Sequence, residues 1–165
     1  MLHEEERAAF IAERVEKSKT STENGTYTLS GWRGSELTLP IMMLDNKFMA
    51  YTISDPRTAS MHFQYGREHP EAGLFFFNNG DDEKVQRAQE EIILYLVKNR
   101  FLGEAILENP VVRGREPVVI TSKGYIVKGN ISVAILREIG EQMLYCVVLP
   151  DDATQDEINK FDDQC

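Results

Sequence analysis

The chain has 165 residues, which is enough for one domain with a hydrophobic core. It is too short for two domains that each have a core of ordinary size. Hydrophobic residues make up 42% of it and charged residues 27%, as in ordinary soluble proteins, and no apolar run approaches membrane-spanning length. The formal net charge of −9 argues against strong DNA binding by this segment, because such binding depends on Lys and Arg that neutralise phosphates.

The two cysteines, Cys146 and Cys165, are too few for a disulfide framework or a zinc cluster. Cys146 lies inside an apolar run, so we expect a buried, unreactive thiol. The first ten residues, MLHEEERAAF, lack the basic start and apolar stretch of a signal peptide. We therefore expect a cytoplasmic protein with no membrane partner.

Residues 1–35 are predicted to form an N-terminal helix and a flexible arm. Apolar residues recur at helical spacing over residues 4–17, which predicts an amphipathic helix that need not join the main core. Residues 18–35 are rich in Ser, Thr, Asn and Gly and are interpreted as a linker or mobile arm with a short strand at 27–29. Trp32 is expected to anchor this arm to the core rather than stack on a ligand ring.

The domain proper is predicted to span residues 36–165. Its last residues still follow a helical pattern, so we expect it to be truncated from a longer protein. Apolar residues alternate over residues 36–44 and predict a first core strand, despite Pro40. The alternating positions are Leu37, Leu39, Ile41 and Met43. Residues 48–53 predict a second short strand.

A turn at residues 54–58 is predicted to present Arg57, whose guanidinium suits a phosphate or carboxylate. A surface salt bridge is the alternative for this arginine. The following residues are interpreted as a polar loop that carries His62, Tyr65, Arg67 and His69. The spacing of these histidines fits no common pair of metal ligands, so no metal site is expected. The apolar run at 74–77 favours burial over a partner-facing patch.

Residues 81–100 give the clearest helical pattern, with acidic residues at the start and basic residues at the end. Its predicted buried stripe is Val85, Ala88, Ile92 and Leu96, supported by Ile93. Residues 102–115 are predicted to be a connection to the C-terminal half.

The C-terminal half is predicted to contain a hairpin, a helix, a strand and a last helix. The hairpin strands are residues 118–120 and 125–127, joined by a turn at 122–124. The helix that follows is expected to bury Val133, Leu136 and Ile139, or Ile135 and Ile139, and to stop at Gly140.

Residues 143–149 then predict a central strand, and the pair Thr154 and Glu157 predicts a capping box that begins a last helix. Ile158 and Phe161 of that helix are expected to face inward. The predicted fold class is α+β, a small mixed β-sheet flanked by helices.

The loop at residues 128–132 is the predicted ligand site. It comprises Lys128, Gly129, Asn130, Ile131 and Ser132. A glycine at a helix N-terminus lets a ligand approach main-chain N–H groups at the positive end of the helix dipole, which favours a phosphate or carboxylate. The alternative is an ordinary turn at Gly129 and Asn130, with Ser132 as the N-cap.

The run EPVVITSKGYIVKGNISVAILREIG, followed by YCVVLPDDATQDEI, resembles the N-terminal domain of the ParB/sulfiredoxin-like superfamily. The shared features are the order strand, turn, strand, glycine loop, helix and strand. The resemblance covers roughly residues 85–160. Upstream, Asp55-Pro56-Arg57 looks like an Asn/Gln-Pro-Arg element of many members.

This resemblance implies a ParB/sulfiredoxin-like fold and a nucleotide phosphate bound at residues 128–132, with Arg57 nearby. It further implies a nucleoside triphosphate with Mg²⁺, in a DNA-associated bacterial or phage protein that contacts DNA through other domains. Ile131 and Ser132 replace the basic pair of the family, and Lys128 stands where an acid is common. Binding is therefore expected before turnover. Sulfiredoxin chemistry is not expected, because neither cysteine lies near the loop.

Two alternatives remain open. The first is a degenerate, non-catalytic member that acts as a protein-interaction or dimerisation module, such as a homodimer, because the loop arginine is missing. The second is a nucleotide hydrolase or nuclease component in which Glu116 or Glu138 holds a metal. The catalytic residues of such an enzyme are not assigned.

Overall fold

The computed structural model describes residues 2–21, 23–54, 58–69, 80, 82–100 and 116–162. Several predictions fall outside these ranges: Arg57 with its turn, the apolar run at 74–77, the connection at 102–115, and Cys165. Helices in the described ranges are α1 (Glu4–Ser18), α2 (Ala59–Glu68), α3 (Glu83–Arg100), α4 (Asn130–Glu138) and α5 (Gln155–Asp162). Strands are β1 (Thr26–Trp32), β2 (Ser35–Pro40), β3 (Met42–Asp45), β4 (Val118–Ile120), β5 (Ile126–Lys128) and β6 (Met143–Val148).

A mixed four-stranded sheet in the order β3-β6-β4-β5 forms the centre of the structure. Strand β6 runs antiparallel to β3 and parallel to β4, and β4 pairs antiparallel with β5. The predicted central strand at 143–149 and the predicted hairpin at 118–127 are therefore confirmed. The predicted α+β class is confirmed as well, because helices pack with two small sheets.

Each face of this sheet supports its own hydrophobic cluster. One cluster joins Cys146 of β6 to Ile11 of α1, Ile93 of α3 and Val133 of α4. The other joins Val147 of β6 to residues of the β1–β2 hairpin and of α5. Cys146 and Val147 are both fully buried, as expected for neighbouring residues that point to opposite faces of a covered strand.

The interpretation of residues 18–35 as a mobile arm is wrong, since they contribute most of the β1–β2 hairpin. The predicted domain boundary at 35/36 falls at the start of β2, within that hairpin. Trp32 is 6% exposed and anchors the hairpin in the second cluster, as expected. Helix α1 also belongs to the main core, because Ile11 is completely buried in the first cluster.

The single strand predicted at 36–44 is two strands that belong to different sheets. The chain leaves the hairpin at Pro40 and enters the main sheet at Met42. As a result, Met42 and Leu44 face the helices, while Leu37, Leu39 and Ile41 pack in the second cluster. The strand predicted at 48–53 is also wrong in most positions, because Asn46–Phe48 form a 3-10 turn and only Ala50 makes a bridge, to Tyr125.

Residues 62–69 were expected to form a polar loop, and instead they lie almost entirely in α2. His62 is 6% exposed there, and its Nε2 lies 2.7 Å from Oε1 of Gln89 in α3. The helix predicted at 81–100 is confirmed with its buried stripe, which packs against Met61 and Tyr65 of α2. Within the described ranges, no helix has the length and apolar character required to cross a bilayer.

Arg7, a buried arginine of α1, connects this helix with the β4–β5 turn through hydrogen bonds. Arg7 is fully buried and donates hydrogen bonds to the carbonyls of Lys123 (3.0 Å) and Leu2 (2.8 Å). Its guanidinium lies 5.0 Å from the ring centroid of Tyr125, within the range of a cation–π contact. Gly124 in the same turn has φ +86°, and a Cβ there would lie 2.3 Å from the carbonyl oxygen of Phe48.

The substitution Gly124→Ala is predicted to destabilise the fold by more than about 2 kcal/mol, because it combines a left-handed backbone with a clash against a main-chain atom. Gly140→Ala is the matched control. Gly140 has φ +87° but open space around its Cβ position, so only the backbone strain of about 1 kcal/mol is expected. Denaturant unfolding of both variants measures the difference, and equal losses would contradict the proposed clash.

Arg33, at the tip of the β1–β2 hairpin, forms ion pairs with Glu157 of α5 and with Asp152, which precedes that helix. Arg33 and Gly34 both have positive φ, as in the type I′ turns of two-residue hairpins. Glu157 also accepts the N–H of Thr154, while the Thr154 hydroxyl accepts the N–H of Glu157. The predicted capping box is confirmed, and Ile158 and Phe161 pack inward as expected.

The Arg33 guanidinium, followed by the Thr154 N–H, lowers the pKa of Glu157 from 4.5 to about 2. A carboxylate with a lowered pKa stabilises the folded state above its unfolded pKa, and this contribution disappears as pH falls through the folded value. Glu157→Gln is therefore predicted to reduce the loss of stability between about pH 4.5 and 2. Unfolding measured across that range, at low salt, checks this, and an unchanged pH profile would contradict it.

Candidate functional site

The predicted ligand loop lies where β5 ends and α4 begins. Lys128 is the last residue of β5, Gly129 is the N-cap, and α4 starts at Asn130. Gly129 has φ 114° and ψ 16°, a conformation that L side chains rarely adopt, so glycine lets the chain pass directly from strand to helix. Five of the six predicted site residues are therefore contiguous here, and Arg57 lies outside the described residues.

The side chains of this loop differ in what they offer to a ligand. Asn130 is 4% exposed and Ser132 is 1% exposed, while Ile131 packs against the first cluster. Ser132 occupies a helical position and Gly129 is the cap, so the alternative with Ser132 as N-cap is wrong. A ligand would thus meet the loop mainly through its main chain and through Lys128.

Lys128 carries the positive charge of the loop. Its Nζ lies 3.3 Å from Oε2 of Glu116, the residue that precedes Pro117 and β4. The Lys128 side chain is 28% exposed and that of Glu116 is 36% exposed, so both groups are accessible from solvent. An incoming phosphate would compete with Glu116 for this ammonium, whereas a metal-bound phosphate would present a cation to the carboxylate.

The position of α4 depends on its apolar face and on Arg137 in its last turn. Val133, Ala134 and Leu136 are buried against α3 and the sheet. Ile139 is 65% exposed, so its predicted inward orientation is wrong. The helix has already ended at Glu138, and Gly140 has the positive φ of a C-terminal stop, as predicted.

Arg137 joins α4 to α3 and to residues 46–51. Its Nη2 donates to the carbonyls of Asn46 (2.6 Å) and Met49 (2.7 Å), and its Nη1 lies 3.4 Å from Glu90 of α3. The guanidinium also lies 4.9 Å from the ring centroid of Tyr51, whose hydroxyl donates to Glu90 at 2.7 Å. Burial raises the pKa of Tyr51, so this phenol stays protonated and acts as a donor.

Two buried glutamines of α3 add further hydrogen bonds beside those of Arg137 and Tyr51, and together they form a polar interior between α2, α3 and residues 46–52. Gln86 exchanges hydrogen bonds with the main chain of Tyr51, accepting at 2.7 Å and donating at 3.0 Å. Gln89 donates to the Thr58 hydroxyl at 3.0 Å. Because the Gln89 nitrogen donates there, its oxygen accepts from Nε2 of His62, which assigns the proton to that nitrogen. Neither glutamine was predicted from the sequence, although both lie beside the apolar stripe of α3.

The loop places the ammonium of Lys128 at the start of α4, the combination that the predicted anion site requires. The described residues contain no cluster of three or more His, Cys, Asp and Glu arranged to hold a metal. Glu138 lies at the opposite end of α4 from the loop, about 12 Å along the helix axis. Cys146 is fully buried, and burial raises the pKa of its thiol to about 12, in keeping with the expected unreactive cysteine.

Comparison of the chain with models of known protein families found no match, and comparisons with curated proteins and with solved structures found none either.

Arg137→Lys is predicted to destabilise the protein by about 1–3 kcal/mol, because a lysine cannot reproduce the forked donors that hold Asn46 and Met49. Arg87→Lys is the matched control on α3. Arg87 is 77% exposed and pairs at the surface with Glu83, so a change within about 0.5 kcal/mol is expected. Denaturant unfolding checks both, and equal effects would contradict the anchoring role.

Proposed function

We propose that this chain binds a nucleotide phosphate at the start of α4, as a ParB/sulfiredoxin-like domain of a DNA-associated bacterial or phage protein. The observation that carries the proposal is the direct passage from β5 through left-handed Gly129 into α4, with Lys128 at the same point. Support also comes from the order of elements, because β4, β5, α4 and β6 follow one another with β6 parallel to β4.

The main chain of residues 129–132 would hold the phosphate at the positive end of the α4 dipole. Lys128 would neutralise part of the phosphate charge, and Arg57 remains a candidate second cation. Mg²⁺ would arrive with a triphosphate, and the Glu116 carboxylate beside Lys128 suits such a cation. DNA contact would belong to other domains of a longer protein.

Binding is proposed in preference to turnover. The loop carries Ile131 and Ser132 where the family has basic residues, and both side chains are wholly or largely withdrawn from solvent. Hydrolysis requires stabilisation of charge that develops on the transferred phosphoryl group, and an arginine is the usual supplier. A hydrolase or nuclease activity remains an alternative that the same experiment addresses.

Calorimetric titration with ATP, CTP and inorganic phosphate, each with and without Mg²⁺, tests the proposal. The expected result is binding that Lys128→Gln weakens by about tenfold, equivalent to about 1.4 kcal/mol. Glu116→Gln is expected to strengthen binding of phosphate without Mg²⁺, because it removes the competing carboxylate. Lys84→Gln, an exposed lysine at the start of α3, is the control and should bind like the unaltered protein.

No heat with any of these ligands at millimolar concentration would overturn the proposal. So would an equal loss of affinity in the Lys128 and Lys84 variants, which would indicate a non-specific charge effect. Release of phosphate during the titration would favour the hydrolase alternative over simple binding.

A further inference from the structure

An Asn-Gly pair lies between α1 and the β1–β2 hairpin. Asn24 and Gly25 immediately precede Thr26, the first residue of β1. Both residues of the pair are exposed, as are Glu23 and Thr26 on either side. Asparagine and glycine are common at turns because each tolerates backbone conformations that other residues avoid. The pair also places a side-chain amide next to the main-chain nitrogen of a residue that has no side chain.

Gly25 offers little steric hindrance to a reaction at this nitrogen. Its φ is +77°, and no heavy atom beyond its two neighbours in the chain lies within 4 Å of its Cβ position. Its carbonyl accepts the Ile41 N–H at 3.0 Å, next to the first cross-strand pair of Thr26 with Pro40. That bond holds the peptide group after Gly25. The peptide group before Gly25 is a separate plane, so it can turn without breaking the bond to Ile41.

We propose that Asn24 is a site of spontaneous deamidation, in which the Gly25 nitrogen displaces the side-chain amide. The Gly25 N–H gives its proton to hydroxide, and the nitrogen then attacks Cγ of Asn24. A bond forms between Cγ and the Gly25 nitrogen, and the bond from Cγ to the side-chain nitrogen breaks. That nitrogen takes a proton from water and leaves as ammonia. The product is a five-membered succinimide ring.

Water then opens the ring at either of its two carbonyl carbons. Attack at Cγ restores the ordinary main chain and leaves an aspartate at position 24. Attack at the main-chain carbonyl carbon leaves an isoaspartate, in which the chain continues through Cβ and Cγ. No oxidant or reductant takes part, because the overall change consumes water, replaces an amide by a carboxylate and releases ammonia.

Asn130 is the internal comparison. It is 4% exposed, lies in the first turn of α4 and is followed by the β-branched Ile131. A succinimide there requires local opening of the helix, whereas Asn24 reacts in the folded chain. The sequence has a second Asn-Gly pair at positions 79 and 80, and Asn79 lies outside the described residues.

The reaction adds one negative charge to a chain whose formal net charge is −9. The altered residue precedes the Gly25–Ile41 hydrogen bond and the first cross-strand pair of the hairpin. The cross-strand bonds therefore remain available in both products. Asn24→Asp, which reproduces one product, is expected to unfold at the same denaturant concentration as the unaltered protein, and earlier unfolding would contradict this retention of the hairpin.

Incubation of the full chain in buffers of increasing pH, sampled over several weeks, tests the proposal. Trypsin releases residues 20–33 with Asn24 as their only asparagine, and residues 129–137 with Asn130 as theirs. Mass spectrometry is expected to show the conversion of amide to acid in residues 20–33, faster as pH rises. Residues 129–137 are expected to react at least about tenfold more slowly, because they react only after local opening.

Two further measurements address the mechanism. A purified isoaspartyl methyltransferase is expected to methylate residues 20–33 after incubation and not before. Asn24→Gln is expected to abolish the mass change in this peptide, because the longer side chain would have to close a six-membered ring. An unchanged mass in residues 20–33 of the unaltered protein, equal rates in the two peptides, or aspartate as the single product would overturn the proposal.

Discussion

Burial of the C-terminal half of β6 on both of its faces is the constraint that organises the rest of the structure. Cys146 contacts the helical cluster and Val147 contacts the cluster beneath the hairpin, and neither retains any exposure. A strand covered on both faces requires two layers of partners, and the chain supplies helices for one and the hairpin with α5 for the other. Burial of one aliphatic side chain such as Val147 contributes about 1.5–3 kcal/mol, and both clusters contain several side chains of this kind.

The geometry of the candidate loop at residues 128–132 is set by the elements on either side of it. Strand β5 is held at the sheet edge by β4, and its start also pairs with Ala50. Helix α4 is held at its other end by Arg137, which binds the carbonyls of Asn46 and Met49. The residues between, with left-handed Gly129 at the junction, are therefore positioned by contacts that lie outside the loop.

The polar interior between α2, α3 and residues 46–52 serves a different role from the apolar clusters. Gln86 donates to the Tyr51 carbonyl and Gln89 to the Thr58 hydroxyl, and a buried polar group left with no partner at all costs about 1–3 kcal/mol. Such directional bonds fix which residues meet, whereas apolar packing tolerates small displacements. The hydrogen bonds of Gln86 to the main chain of Tyr51 help to fix the conformation of residues 49–52, which do not form a regular strand.

Local chemistry in the sequence was sufficient to predict the long helix α3, the β4–β5 hairpin, the central strand, the capping box of α5 and the glycine at the start of α4. These features depend on periodicity, turn residues and caps, which act over a few neighbouring positions. The division of residues 36–44 between two sheets, the hairpin at 26–40 and the helical path of residues 59–68 were decided by tertiary contacts. The burial of Trp32, Met42 and His62 accompanies them, and each of these side chains packs against residues far away in the chain. The same reason applies to the candidate site: Lys128 and Gly129 are predicted from the sequence, but only packing shows that Ser132 is buried and that Glu116 lies beside Lys128.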